Sequence, residues 1–152
     1  MPKFASGDMW SIYRSADLFL ITTNSTIHNN QLVMGAGIAL QAKQKFPDLA
    51  KALGQQIQTA VGSLGDYNLL VSPRWPNAKL GCFQVKRHWR QPASMDLNTQ
   101  STTALKWWAR RHHDCQIHLN FPGIGCGKLK KTAVLPILAS LPENVTIWEY
   151  AK

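Results

Sequence analysis

The sequence predicts one α/β domain built on a largely parallel sheet, and three observations carry that expectation. Short apolar runs without helical periodicity alternate along the chain with longer stretches whose apolar residues recur at helical spacing. No internal repeat and no linker rich in Pro, Gly or Ser divides the 152 residues, a length suited to a single core. A 45% hydrophobic share with six tryptophans supplies enough apolar area for folding, which argues against intrinsic disorder. Strands that alternate with helices imply crossover connections, hence parallel strands covered on both faces, and ligands bind at the carboxyl ends of such strands.

Taken in order, residues 16–22 (Ala-Asp-Leu-Phe-Leu-Ile-Thr) read as a strand buried on both faces. Residues 37–45, with Ile38, Leu40 and Ala42, read as a helix, broken near Phe46-Pro47; a second helix carries Leu49, Ala52, Leu53, Ile57 and Ala60. Gly65-Asp66 signals a turn before a strand over 67–72, and 79–85 gives a third strand. Asp96 is the expected cap of a helix carrying Leu97, Ala104, Leu105 and Trp108 and ending at His112-His113-Asp114. A fourth central strand spans 116–121, a helix 132–141, and a closing strand 145–150.

The formal charge of +9 is concentrated in one stretch. Residues 74–131 hold eleven of the seventeen Lys and Arg against Asp96 and Asp114 alone, an excess equal to the whole net charge. Such a stretch points to a polyanion or a phosphate-bearing ligand. Cys82, Cys115 and Cys126 form no paired spacing, which argues against a disulfide framework and a four-ligand zinc site; no cofactor or metal is expected. No window approaches ~18 consecutive apolar residues, and the N-terminus lacks a leader-like apolar stretch, so a cytoplasmic monomer without membrane partners is expected.

Two glycine loops carry the chemistry. Val33-Met-Gly-Ala-Gly-Ile-Ala39 follows the Asn29-Asn30 pair and precedes a helix; Gly123-Ile-Gly-Cys-Gly127 follows a buried strand and precedes another. Glycines let the backbone approach a ligand, and the first N–H groups of a helix favour an anion. Two such loops at one sheet edge can hold the two phosphates of a diphosphate. Neither continues as Gly-Lys-Ser or Gly-Lys-Thr, which excludes a P-loop nucleotidase. Leu40 stands where a dinucleotide fingerprint needs its third glycine.

Together Gly7-Asp8, the strand to Thr22, Asn29, Met34-Gly-Ala-Gly-Ile-Ala-Leu-Gln41, Lys45-Phe-Pro47 and Gly123-Ile-Gly-Cys-Gly127 resemble a macro domain, the ADP-ribose-binding family, from about Gly7 to Tyr150. Val85-Lys-Arg-His-Trp-Arg90 is similar to the branch of DNA ADP-ribosyl glycohydrolase antitoxins and terminal ADP-ribose protein glycohydrolases, and ordinary macro domains lack it. The resemblance implies a three-layer α/β/α fold over residues 1–152 with a central mixed, largely parallel sheet. It implies that Asp8 accepts from the adenine amino group and that Asn29, with Asn30, meets the distal ribose. Backbone N–H groups of Val33, Met34, Gly35, Ala36, Gly37 and Ile38 would hold the diphosphate with those of Gly123, Ile124, Gly125, Cys126 and Gly127. Lys86 matches the branch's catalytic lysine, whose amine attacks the anomeric carbon of the distal ribose. Where the family carries a carboxylate shortly after the second glycine loop, this chain reads Lys128-Leu-Lys-Lys-Thr132, with no acid between Asp114 and Glu143.

A lysine nucleophile must lose its proton, and neighbouring Arg87, His88 and Arg90 are the expected source of a lowered pKa if burial is not. Otherwise Arg87 and Arg90 read as a basic rim and possible polyanion contacts, while Lys128, Lys130 and Lys131 are either a solvated face or phosphate contacts. Trp89 reads as packing, and Trp75 is the better stacking candidate. Cys126 reads as a small residue tolerated near phosphates, not a nucleophile. Three functions follow from the resemblance. The leading one is an ADP-ribosyl glycohydrolase acting on a macromolecule, DNA before protein, in an antitoxin-like or phage–host setting. The others are a module that sequesters ADP-ribose or an NAD-derived signal, and an ADP-ribose 1″-phosphate phosphatase.

Overall fold

In a computed structural model of the protein, which describes residues 1–71 and 79–150, the apolar runs become the centre of a six-stranded sheet. β1 (Lys3–Ser6), β2 (Leu18–Thr23), β6 (Leu80–Gln84), β7 (Ile117–Asn120) and β8 (Val145–Glu149) run parallel, and β5 (Leu69–Val71) closes one edge antiparallel to β6. The strand order is β1-β8-β7-β2-β6-β5.

Side-chain alternation along β2 sets the layers. Leu18 and Leu20 enter one core with Phe83, Leu105, Ile117, Val134 and Ile147, beneath α3 (Met95–Arg111) and α4 (Lys131–Leu138). Phe19 and Ile21 enter the other with Ala42, Leu53 and Ile57, beneath α1 (Gly37–Lys45) and α2 (Leu49–Ala60). A strand covered on both faces needs apolar residues at every position, which is why 16–22 shows no period. The result is the expected three-layer α/β/α arrangement, and the break between α1 and α2 falls at Phe46, where helical geometry stops one residue before Pro47.

Several expectations need correction. Ser94, not Asp96, caps α3: its side chain accepts from the Leu97 N–H at 3.2 Å, and Asp96 lies in the first turn, where a carboxylate suits the helix dipole. The last helix is Lys131–Leu138 and does not reach 141; Pro136 lies within it. Two features went unread. β1 is a largely exposed edge strand with little apolar content, and β3 (Ile27–His28) with β4 (Gln31–Leu32) forms a separate hairpin. Asn29 and Asn30 are its two turn residues, both with positive φ (51° and 61°), as a two-residue primed turn requires. The hairpin rests on α2 at Gly54, where a Cβ would come within 2.8 Å of the Asn30 carbonyl oxygen. Among the described residues no helix is long and apolar enough to cross a membrane.

Candidate active site

Because five strands are parallel, the segments after their carboxyl ends meet along one edge: 7–8 after β1, 24–36 after β2, 85–94 after β6, 121–130 after β7 and Tyr150 after β8. Every described residue singled out from the sequence as a ligand contact, and Lys86 itself, lies on or beside these segments.

The first glycine loop ends at Ala36, which is extended (φ −153°) and offers α1 no side-chain cap. The opening N–H groups of α1 therefore have no acceptor within the helix or from a cap, the arrangement that favours an anion. Asn24, buried at the end of β2, ties this loop down: its amide donates to the Val33 carbonyl at 2.9 Å and its oxygen accepts from Thr26 N–H. Sequence reasoning missed Asn24. Its signal was an Asn at the end of a doubly buried strand, where the departing backbone needs a partner.

The second loop does not lead straight into a helix as expected. It closes as a 3-10 turn over Gly125–Gly127, then passes through Lys128 in the left-handed region (φ 64°), and α4 starts at Lys131. Gly127, Lys128 and Leu129 donate to the carbonyls of Ile124, Gly125 and Gly123. The opening N–H groups of the turn, those of Gly125 and Cys126, have no acceptor within it. Gly123 must be glycine: φ is +83°, and a Cβ would meet a Leu129 methyl at 2.6 Å. The two loops come together, since a Cβ on Gly37 would lie 3.9 Å from the Cys126 sulfur.

Lys86 follows β6 on a segment clamped from three sides. Ser94 N–H donates to the Val85 carbonyl and Ala93 N–H to the Gly127 carbonyl, which stitches this segment to the second loop. The Arg87 carbonyl accepts from Ser25 N–H and the Thr26 hydroxyl, and Trp89 N–H donates to that hydroxyl oxygen at 3.1 Å. Gln84, fully buried, accepts from the N–H groups of Tyr67 and Asn68 and donates to the carbonyls of Gly65 and Lys86. The Lys86 ammonium donates to the Trp89 carbonyl at 3.0 Å.

The Lys86 pKa is lowered, chiefly by partial burial and further by the Lys128 ammonium, while Cys126 acts in the opposite direction. The arginines are not the cause. Arg87 turns away into a bidentate pair with Asp66 (2.8 Å for each bond), and Arg90 lies over the Trp89 ring. Trp89, expected to pack, keeps 44% of its surface exposed, with His88 and Arg90 against its ring. Lys131 pairs with Glu149, whereas Lys128 and Lys130 are exposed and in no ion pair among the described residues.

Asp8 caps the turn Met9–Ile12, with one carboxylate oxygen accepting from Trp10 N–H at 3.0 Å. It lines a concavity with Trp10, Gln41, Lys45 and Tyr150, in which the Trp10 indole N–H donates to Gln41 and the Lys45 ammonium lies over the indole ring. Asn29 lines a different concavity with His28, Val33, Gly35 and Lys43, and no hydrogen bond among the described residues joins Asn29 or Asn30 to Lys86. Trp75 and Arg74 lie outside the described residues.

No protein-family model matches the chain. A curated DNA ADP-ribosyl glycohydrolase from Thermus aquaticus (strain ATCC BAA-2747 / Y51MC23) is 29% identical over 140 residues, which is 86% of this chain; the chain spans only 36% of that relative's length. Among solved structures, the macrodomain of Thermus aquaticus DarG is 25% identical with a TM-score of 0.70, and the match covers 100% of this chain and 99% of that one. Thermosipho africanus DarTG in complex with ADP-ribose matches with a TM-score of 0.72 at 18% identity, over 98% of this chain and 42% of its own. Sequence likeness, whole-chain superposition and paired glycine loops at one sheet edge agree: the chain has the macro-domain fold and is similar to the macrodomain of DarG.

Proposed function

We propose that this macro domain binds ADP-ribose across the two glycine loops and removes it from a macromolecule, DNA in preference to protein, with Lys86 as nucleophile. The observation that carries the reading is one juxtaposition. A lysine of lowered pKa sits beside the second loop, and that loop touches the first at Gly37 and Cys126. A diphosphate held by the opening N–H groups of α1 and of the 125–127 turn puts the distal ribose at the mouth where Lys86 emerges. Asp8 and the Trp10 and Tyr150 rings then take the adenine end. A relative whose name states DNA ADP-ribosyl glycohydrolase activity, and a structural neighbour bound to ADP-ribose, support this assignment. Asn29 and Asn30 reach the ribose only through the hairpin tip, and their turn geometry gives each a structural role whatever it contacts.

In the reaction the neutral Lys86 amine forms a bond to the anomeric carbon while the bond from that carbon to the macromolecule breaks. The electron pair leaves with the macromolecule, which takes up a proton. Water then displaces the amine, so that free ADP-ribose and the lysine are restored. The residues after the second loop are Lys128 to Thr132 without a carboxylate, and this favours a second reading in which the domain binds ADP-ribose without release. A phosphatase acting on the 1″-phosphate gains less support, because Lys131 is committed to Glu149.

Incubation of the protein and a Lys86→Ala variant with ADP-ribosylated single-stranded DNA and ADP-ribosylated protein separates these readings. The glycohydrolase reading expects release lowered on the order of 10³-fold or more by the substitution, with ADP-ribose affinity kept. Tight binding without release by the unaltered protein would instead establish the sequestering module, and phosphate liberated from the 1″-phosphate would establish the phosphatase.

A further inference from the structure

We propose that Trp89 and Arg90 form a platform for the nucleobase next to the scissile bond, so that the domain takes its ADP-ribose from single-stranded nucleic acid. This rests on the glycohydrolase reading above and names the substrate side of the same site. Trp89 keeps 44% of its surface in water although its backbone is fixed: its N–H is held by the Thr26 hydroxyl, and its carbonyl accepts from the Lys86 ammonium at 3.0 Å. The nucleophile and the indole are thus carried on one rigid segment, and a group stacked on the indole stands beside the bond that Lys86 attacks.

Neighbouring side chains favour a base over a peptide. His88 stacks on the indole (centroids 5.9 Å apart, 22° between planes), and the Arg90 guanidinium lies 4.8 Å from the ring centroid. Arg90 pairs with no carboxylate among the described residues, in contrast to Arg87, which Asp66 engages through two bonds. A base has a π-face for the indole, and its phosphate offers Arg90 an anion; a guanidinium resting on a ring is easily drawn to that phosphate. An aliphatic acceptor side chain offers neither. In a duplex the base faces are already stacked on neighbours, so the platform selects an unpaired strand.

The test compares Trp89→Ala, Trp89→Phe and, as a control for loss of an exposed indole elsewhere, Trp107→Ala on α3. The substrates are an ADP-ribosylated single-stranded oligonucleotide, its duplex form and an ADP-ribosylated peptide, with affinity for free ADP-ribose measured in parallel. Trp89→Ala is expected to raise KM for the single strand about 5- to 150-fold, the worth of one stacked base, and to erase the preference over duplex. Peptide release and ADP-ribose affinity should stay within about twofold, Trp89→Phe should retain most of the strand preference, and Trp107→Ala should change nothing. An unchanged KM for the single strand, or an equal loss on peptide, on free ADP-ribose or in Trp107→Ala, overturns the platform. If the unaltered protein releases nothing from any substrate, the glycohydrolase reading fails, and affinities still decide the platform. Tighter binding of the ADP-ribosylated strand than of free ADP-ribose, lost in Trp89→Ala, sustains it, and equal affinities end it.

Discussion

At Lys86 the decisive quantity is the fraction of neutral amine. Only the unprotonated form attacks carbon, so release should rise with pH along a limb whose midpoint lies below the ordinary lysine value of 10.5, because burial and Lys128 both disfavour the ammonium. Lys128→Asn removes one of these causes and keeps a residue that tolerates the left-handed backbone there. The lysine pKa then climbs toward its ordinary value, and the limb should move to higher pH. Cys126→Ser removes the opposing influence, so the limb should move to lower pH. Single-turnover release followed across pH 7 to 10.5 checks both, and a limb unmoved by either change would sever Lys86 from the second loop. The sequence made Lys86 legible through its Lys-Arg-His-Trp-Arg surround; of the two causes it allowed for the lowered pKa, burial is the chief one, and the contributing cation is Lys128, not the adjacent arginines. Adjacent arginines look effective in a string of letters, yet the backbone turns Arg87 toward Asp66, while Lys128 reaches the amine from a distant segment.

Among the elements, the β3–β4 hairpin shows how a functional expectation and a structural requirement overlap. Asn29 and Asn30 satisfy positive φ, so their presence alone says nothing about a ribose. Asn30→Gly keeps the turn and should leave stability within about 0.5 kcal/mol. Asn29→Gly should do the same, so a fall in ADP-ribose affinity without a fall in melting temperature would mark the lost amide as a ligand contact. Gly54→Ala behaves oppositely. A helix interior normally gains roughly 0.5–1 kcal/mol from this change. Here the new methyl meets the Asn30 carbonyl and the Leu32 nitrogen within 3 Å, both backbone atoms unable to step aside. Overpacking costs about 1–3 kcal/mol and outweighs the propensity gain. Thermal denaturation should show net loss, and a stabilised variant would mean that the hairpin is free to lift from α2. The hairpin escaped sequence reading because its strands are two residues each, too short for any period; the doubly buried strands and the α1–α2 break were legible because apolar runs and a Phe-Pro step leave strong local marks.

Across the whole molecule, the charge that drew attention to residues 74–131 sorts into cations already engaged and cations at liberty. Arg87 is held by Asp66 and Lys131 by Glu149, exposed pairs worth at most about 1 kcal/mol each. Lys106 and Arg110 lie on the Trp107 ring, on α3, whose N-terminus faces the site while its later turns lead away from it. Arg90, Lys128 and Lys130 border the two loops without a carboxylate partner among the described residues. Formal charge therefore overstates what a strand would meet, and counterion release measures the difference. Each phosphate contact on a single strand contributes about 0.7 to the slope of log affinity against log salt. Binding of an ADP-ribosylated oligonucleotide to Arg90→Ala, and separately to Lys130→Ala, should lose about that much slope. Arg87→Ala should leave the slope alone and move only the melting temperature, by the small worth of its ion pair. If Arg87→Ala flattens the slope as much as Arg90→Ala does, the Asp66 pair opens on binding and the basic stretch acts as one diffuse field. If only the bordering cations matter, the +9 resolves into a few charges at one sheet edge, placed to hold a strand while Lys86 acts on it.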